Sequence, residues 1–353
     1  MIRIQNVYYM LAYAFQVLNE QTYRNLATEE FSNTADLFAA ILAKGINSQI
    51  KRGLGKAYIL EEETLSSVRG KIDISASIKT QALHRKQLTC SFDEFSVDTK
   101  MNRIIKATVQ LLLKSDIDNA RKKELRKLMI FFNEVGDIDL FSVDWHMSYN
   151  RNNQTYRMLM GICYLTVKGL LHSHSDGSTR LMNFIDDQRM CRLYEKFILE
   201  YYRKEFPCIN ANASQIPWQL DDEVNDLLPV MQTDIMLSYK EKVLIIDAKY
   251  YGHTTQVQYG VHTLHSSNVY QIFTYVKNKE AELAEKPHEV SGLLLYAKTD
   301  EDIYPENEYH MSGNRVSVRT LNLDCDFSEI RMQLDSIVST HFGDREDVHY
   351  GIM

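Results

Sequence analysis

The 353-residue chain is 44% apolar and 25% charged, with a formal net charge of −7; these proportions belong to a folded globular protein and exclude a disordered, collagenous or largely membrane-embedded one. At about 100–200 residues per domain, the length predicts roughly two domains with real cores. The acidic balance argues against a chain that grips nucleic acid alone, since lysine and arginine supply most sequence-independent affinity for phosphates.

The opening Met1–Phe15 stretch is apolar, but too short for a membrane span and without a basic leader and small-residue cleavage site. It reads as a folded element, and no other segment suggests a span. Val7 to Leu18 has helical spacing, as does Thr34 to Ile50, where Thr34-Ala-Asp36 is the expected cap and Leu37, Ala40, Ile41 and Ile46 line one face. Tyr58 to Leu60, Arg69 to Ile74 and Phe92 to Val97 read as short strands. Met101 to Leu113 is helical, and the run Arg121-Lys-Lys-Glu-Leu-Arg-Lys127 reads as a solvated helix face. Tyr156 to His172 is a further apolar helix. The stretch His172-Ser-His174-Ser-Asp176-Gly177 is a surface loop by composition and marks a domain boundary, giving domains 1–175 and 176–353.

The second half has a sharper order. Asp187 to Lys204 is a long helix. Ser214 to Leu220, Gln232 to Tyr239 and Val243 to Tyr250 are strand-like. A polar stretch from Gly252 to Asn268 reads as a long loop that contacts nucleic acid or closes over a site. Asn268 to Asn278 is a helix, Ser291 to Ala297 and Arg315 to Leu323 are strands, and Phe327 to Phe342 is a closing helix. The fold class is therefore α/β (α+β overall): a mixed α/β N-terminal domain, then a central mixed sheet flanked by helices. Five scattered cysteines, Cys90, Cys163, Cys191, Cys208 and Cys325, include no C-x-x-C pair. They fit a reducing, cytoplasmic compartment.

The chemistry concentrates between Thr233 and Tyr250. Val243-Leu-Ile-Ile246 is continuously apolar, as in a strand buried on both faces, yet it runs into Asp247-Ala248-Lys249. Burial of an unpaired charge is costly, so these charges must be paired or bind a metal. Asp247 and Lys249 share a strand face. A tight turn near Lys240-Glu241 would set Asp234 almost opposite Asp247, about 4.5–5.5 Å apart at Cβ. Two such carboxylates repel unless a cation lies between them, and magnesium, with manganese as a substitute, suits oxygen ligands from one or two carboxylates plus phosphate. Asp234 and Asp247 are then the metal ligands, with the Ala248 carbonyl as a further ligand and Glu195, on the preceding helix, as an outer one. Lys249 orients water or stabilises developing charge. Gln271 and Tyr275, four apart on one helix face, join the site. The chemistry is phosphodiester hydrolysis, with Asp234, Asp247, Lys249, Gln271 and Glu195 as the catalytic set.

Asp…Asp-x-Lys on a hairpin, preceded by a helical Glu and followed by Gln-x-x-x-Tyr, resembles the PD-(D/E)XK nuclease superfamily. More narrowly, the chain resembles the McrC family, the nuclease subunits of McrBC modification-dependent restriction systems. The likeness lies in Ile4–Phe15, Val68-Arg-Gly-Lys-Ile-Asp73, Phe92–Arg103, Thr233-Asp234-Ile and Ile246-Asp247-Ala-Lys249-Tyr-Tyr. Thr233 stands where the superfamily's name has proline.

The resemblance implies a magnesium-dependent DNA endonuclease subunit whose triad is Asp234, Asp247 and Lys249. It implies an N-terminal half that docks on a hexameric McrB-like AAA+ GTPase and stimulates it, with the partner recognising 5-methylcytosine in double-stranded DNA. Arg69, Lys71 and Arg85 are candidate partner contacts. A single metal centre cuts one strand, so a double-strand break needs two nuclease subunits or two events. Gly53-Leu-Gly55-Lys56-Ala57 departs from Gly-x-x-x-x-Gly-Lys-Ser/Thr, so no nucleotide is expected on this chain. The alternatives are a non-cleaving regulatory subunit of the GTPase and a stand-alone recombination or repair exonuclease.

Overall fold

A computed structural model describes residues 2–15, 18, 23, 25–26, 29–150, 153, 155–173, 187–222, 226–250, 255–258, 261–298 and 304–343. The chain divides into two units, Ser32–Phe184 and Met1–Phe31 with Ile185–Met353. The division before Ile185 lies near the boundary read at 175/176, but the first 31 residues join the C-terminal unit. Helix α1 (Ile4–Ala14), which stops short of the expected Leu18, explains why. Asn6 Nδ2 donates to the carbonyls of Leu323 and Cys325, both at 2.8 Å. Tyr9 stacks on Phe327 with ring centroids 4.3 Å apart, and the Tyr13 hydroxyl donates to Glu205 at 2.8 Å.

In the Ser32–Phe184 unit, α2 (Thr34–Arg52) buries Leu37, Phe38, Ile41, Leu42 and Ile46. Asn33 rather than Thr34 caps it, accepting the Asp36 N–H at 2.9 Å. Strands β1 (Ala57–Leu65), β2 (Lys71–Ile72) and β3 (Leu88–Ser96) form an antiparallel sheet ordered β1-β3-β2. The strand expected over Arg69–Ile74 is confined to Lys71–Ile72, because Asp73 accepts the Ala76 N–H at 2.8 Å and starts helix α3 (Ile74–Lys79). Gly70 has φ +67°, and a Cβ there would meet the Ser91 carbonyl oxygen at 2.5 Å, so the turn into β2 requires glycine. Helices α4 (Lys100–Lys114), α5 (Asn119–Met129) and α6 (Tyr156–Ser173) complete the unit. The basic run lies on α5, with Leu125 buried and Lys123, Arg126 and Lys127 exposed, a solvated helix face. His174 and Asp176, and the side chain of His172, lie outside the described residues.

In the other unit, α7 (Asp187–Glu205) precedes β4 (Asn210–Asn212), β5 (Gln215–Ile216), β6 (Met231–Gln232), β7 (Ile235–Tyr239) and β8 (Lys242–Lys249). The strands read over Ser214–Leu220 and Gln232–Tyr239 are thus shorter or broken. Next, β9 (Thr255–Gln258) and β10 (Val261–Leu264) pair as an antiparallel hairpin inside the stretch read as a long loop, correcting that reading. Gly252 and His253 lie outside the described residues. After α8 (Ser266–Glu282) come β11 (Glu289–Ala297), β12 (Asn307–Met311), β13 (Asn314–Leu321) and α9 (Phe327–Phe342).

Six strands make a mixed sheet ordered β12-β13-β11-β8-β7-β4. Strands β8, β11 and β13 run parallel; β7, β4 and β12 pair antiparallel. On one face, Val243, Ile245, Val290, Leu294, Val316 and Val318 form a buried core with Ile272, Tyr275 and Val276 of α8. Gly292 allows this approach: a Cβ there would lie 2.8 Å from Ile272 Cγ1 and 2.9 Å from Val276 Cγ2. Alternation turns Leu244, Ile246, Leu293 and Leu295, all buried, to the opposite face. No helix among the described residues is long and apolar enough to cross a membrane.

Candidate active site at the end of the β7–β8 hairpin

The hairpin sets the site. Lys240 adopts φ +53° in the two-residue turn between Tyr239 and Lys242. This conformation suits the right-handed twist of paired strands. The register then runs from Tyr239↔Lys242 to Ile235↔Ile246, and its next step sets Asp234 opposite Asp247. Asp234 Oδ2 accepts the Ala248 N–H at 2.9 Å, tying the two chain segments where the ladder ends. Thr233, buried before it, exchanges backbone and hydroxyl hydrogen bonds with Ser214 at 2.9–3.1 Å. Thr233 therefore anchors the approach to Asp234 through its hydroxyl, a role that reading it as a stand-in for proline overlooked.

Asp247 is only 1% exposed. Its Oδ1 accepts Lys249 Nζ at 2.8 Å, while Oδ2 is buried without a hydrogen-bond partner. Lys249 Nζ also reaches Gln271 Oε1 at 3.5 Å. Gln271 Nε2 donates to the Tyr275 hydroxyl at 3.0 Å, and that hydroxyl donates to the Gln232 carbonyl at 3.1 Å. Helix α8 thus delivers Gln271 and Tyr275 to the Asp247–Lys249 end of β8.

Helix α7 brings Glu195. Its Oε1 accepts the thiol of Cys191 at 3.1 Å, and the same sulfur lies 3.8 Å from the Ala248 carbonyl oxygen. Cys191 was absent from the residues read as chemical. Its signal was the four-residue spacing from Glu195 on one helix face.

The electrostatics are those of a cluster of acids beside the Lys249 ammonium, with Arg192 also acting on Glu195. Burial pushes the Asp247 carboxyl up to about 7 against the pull of Lys249, and the Asp234 charge adds to the rise. Glu195 is raised by burial and then by Asp234. Burial, reinforced by Glu195, drives the Cys191 thiol up to about 12, so at neutral pH it is a proton donor. Among the described residues, no three His, Cys, Asp or Glu side chains form a ready-made metal cage. A magnesium ion needs no such cage, because one or two carboxylates, waters and substrate phosphate suffice. The orphaned Asp247 Oδ2 and the mutual repulsion of Asp234 and Asp247 fit a divalent cation.

Two of the three basic residues read as candidate partner contacts have internal roles. Arg69 pairs with Glu94 at 2.5 Å and covers the Phe92 ring at 4.0 Å. Arg85 donates to the Thr80 carbonyl at 3.4 Å. Lys71 is exposed on β2.

Residues 4–297 match the family described as "McrBC 5-methylcytosine restriction system component". A protein of Escherichia coli (strain K12), described as "Type IV methyl-directed restriction enzyme EcoKMcrBC", is 30% identical over 341 residues, covering 94% of this chain and 96% of its own length. Two Thermococcus gammatolerans structures are also similar. A chain from an assembly of McrB AAA+ hexamers with bound McrC matches with TM-score 0.48 and 16% identity over 95% of this chain and 76% of that one. A chain of the McrBC complex matches with TM-score 0.39 and 21% identity over 57% of this chain and 58% of that one.

Proposed function

The chain belongs to the family of McrBC 5-methylcytosine restriction system components, and from that membership and the carboxylate–lysine geometry we propose that it is the system's McrC-type, magnesium-dependent DNA endonuclease subunit. One observation carries the reading: a tight hairpin directs Asp234 toward a buried Asp247 whose second oxygen has no partner, with Lys249 on the same strand face. A carboxylate oxygen buried without a partner costs about 1–3 kcal/mol or more, a cost that a cation bound between Asp234 and Asp247 would offset.

Asp234 and Asp247 would hold the metal, with Glu195 and the Ala248 carbonyl as further oxygen donors. Bound there, magnesium supplies Lewis-acid polarisation of a phosphoryl oxygen and acidifies a water. Lys249 keeps its ammonium directed by Asp247 Oδ1 and Gln271 Oε1, where it orients the attacking water and stabilises charge that develops on the phosphate. Gln271 holds Lys249 in this direction, and Tyr275 holds Gln271. The apolar strands beneath exclude water and strengthen each of these interactions.

The proposal extends to partners. The absence of a phosphate loop and the net charge of −7 suit a subunit that works with a DNA-handling partner. We assign that role to a hexameric McrB-like AAA+ GTPase, which selects methylated double-stranded DNA and is stimulated by the Ser32–Phe184 unit. Two nuclease subunits acting together would break both strands. The intact Asp234, Asp247 and Lys249 favour this reading over a silent regulatory subunit.

The test is cleavage of a methylated plasmid with magnesium by the protein alone, with its cognate AAA+ partner and GTP, and with Asp247→Ala in that mixture. Cutting only with partner and GTP, lost in the variant, is the expected result. Cutting by the protein alone would assign an independent nuclease. No cutting, with GTP hydrolysis still stimulated, would assign a regulatory subunit.

A further inference from the structure

We propose that Cys191 is a positioning residue of this site, its single thiol proton directed at the Glu195 carboxylate and its sulfur packed beside the Ala248 carbonyl, so that Glu195 is held in place for a divalent cation. The inference rests on the nuclease reading above. Cys191 and Glu195 stand one turn apart on α7, and the sulfur is 3.1 Å from Glu195 Oε1 and 3.8 Å from the Ala248 oxygen. One side chain therefore links the helix carboxylate to the end of β8, between Asp247 and Lys249. The second observation is independent of the cysteine: Asp247 Oδ2, on the residue beside Ala248, is buried and unpartnered.

The choice of donor has a physical logic. An arginine or lysine in this position would hold Glu195 more tightly but would neutralise the charge that a cation requires. A thiol is a neutral, weak donor. It directs the carboxylate without adding a charge of its own, and because a carboxylate has several acceptor lone pairs the thiol can keep its hydrogen bond while a metal takes another of them. Groups that hold ligands in this way typically change metal affinity by about 10–100-fold when removed.

The experiment measures Mn2+ binding to the full-length, DNA-free protein by electron paramagnetic resonance, which needs no cleavage. The variants are Cys191→Ala, Cys191→Ser, Glu195→Ala, Cys191→Ala/Glu195→Ala and Asp247→Ala, with melting temperatures as a check on folding. Cys191→Ala is expected to weaken Mn2+ binding by about tenfold. Cys191→Ser, which retains a donor, is expected to recover most of that loss. In the Glu195→Ala background, Cys191→Ala is expected to add nothing, because the thiol acts through that carboxylate. Unchanged binding in Cys191→Ala, or an equal loss in the Glu195→Ala background, overturns the role of Cys191 alone. Wild-type binding no tighter than that of Asp247→Ala overturns the metal site itself.

Discussion

The hydroxyl of Tyr275 decides which way the amide of Gln271 points. Tyr275 has one proton and donates it to the Gln232 carbonyl at 3.1 Å, so it can only accept from Gln271 at 3.0 Å. The amide nitrogen is thereby committed to Tyr275, and the amide oxygen faces Lys249 Nζ at 3.5 Å. A backbone carbonyl outside the site thus sets the direction of a lysine inside it, through two side chains of α8.

Tyr275→Phe removes that constraint while keeping the ring in the core. The freed amide can turn its NH2 toward Lys249, where it would repel rather than hold the ammonium. Cleavage by the full complex should fall about tenfold, in line with about 0.5–1.5 kcal/mol for each of the two hydrogen bonds lost. Single-turnover cleavage at saturating magnesium checks this. A rate equal to wild type would remove Tyr275 and Gln271 from the positioning of Lys249.

Asp247 should cost the metal-free protein stability at alkaline pH. Its folded-state pKa, about 7, lies above the ordinary 3.8. The stability this group contributes is therefore fully present below about pH 4 and is lost as pH rises through 7. Asp247→Asn should raise the melting temperature in EDTA at pH 8 and abolish cleavage. Magnesium should stabilise wild type but not the variant. A lower melting temperature for the variant in EDTA would show that Asp247 is held by compensating partners rather than strained by burial.

His341 should act in the opposite sense. It is 3% exposed, and burial followed by Arg315, Arg319 and Lys242 depresses its pKa from 6.5 to about 3. Arg315 Nη2 donates to Nδ1 at 2.6 Å, which places the ring proton on Nε2. The unfolded chain binds a proton that the folded chain refuses, so stability falls as pH drops from about 6.5 toward 3. The slope from one such group is about 1.4 kcal/mol per pH unit. Urea unfolding across this range should give a shallower slope for His341→Gln; an unchanged slope would mean that the folded protein protonates His341 readily.

Gly292→Ala tests the packing that delivers α8 to the site. The added methyl would meet Ile272 and Val276 at 2.8 and 2.9 Å, both inside the core. Overpacking of this kind costs about 1–3 kcal/mol. The displaced helix carries Gln271 and Tyr275 with it, so cleavage should fall along with the melting temperature. A stable variant with reduced cleavage would indicate that the helix moved and the core adapted; a variant equal to wild type in both would contradict the close approach.

By itself, the sequence determined the periodic elements and the hairpin that bears the acids. Helix α9 lies over the predicted Phe327–Phe342, and α2 and α7 lie within a few residues of their expected spans, because buried helices carry long, redundant apolar patterns. Asp234 and Asp247 could be matched in advance because a two-residue turn leaves one register, and each further pair follows by counting. Other features had no local signal. Strand β12 is an edge strand whose side chains are nearly all exposed, so no apolar alternation marks it. Helix α1 announced an apolar face but not the surface it covers, and only the tertiary structure joined it to Leu323, Cys325 and Phe327. The same holds for the direction of the Gln271 amide and for the thiol between Glu195 and Ala248. Each depends on atoms far apart in sequence whose distances the folded core sets, whereas periodicity reports only which face of an element is buried.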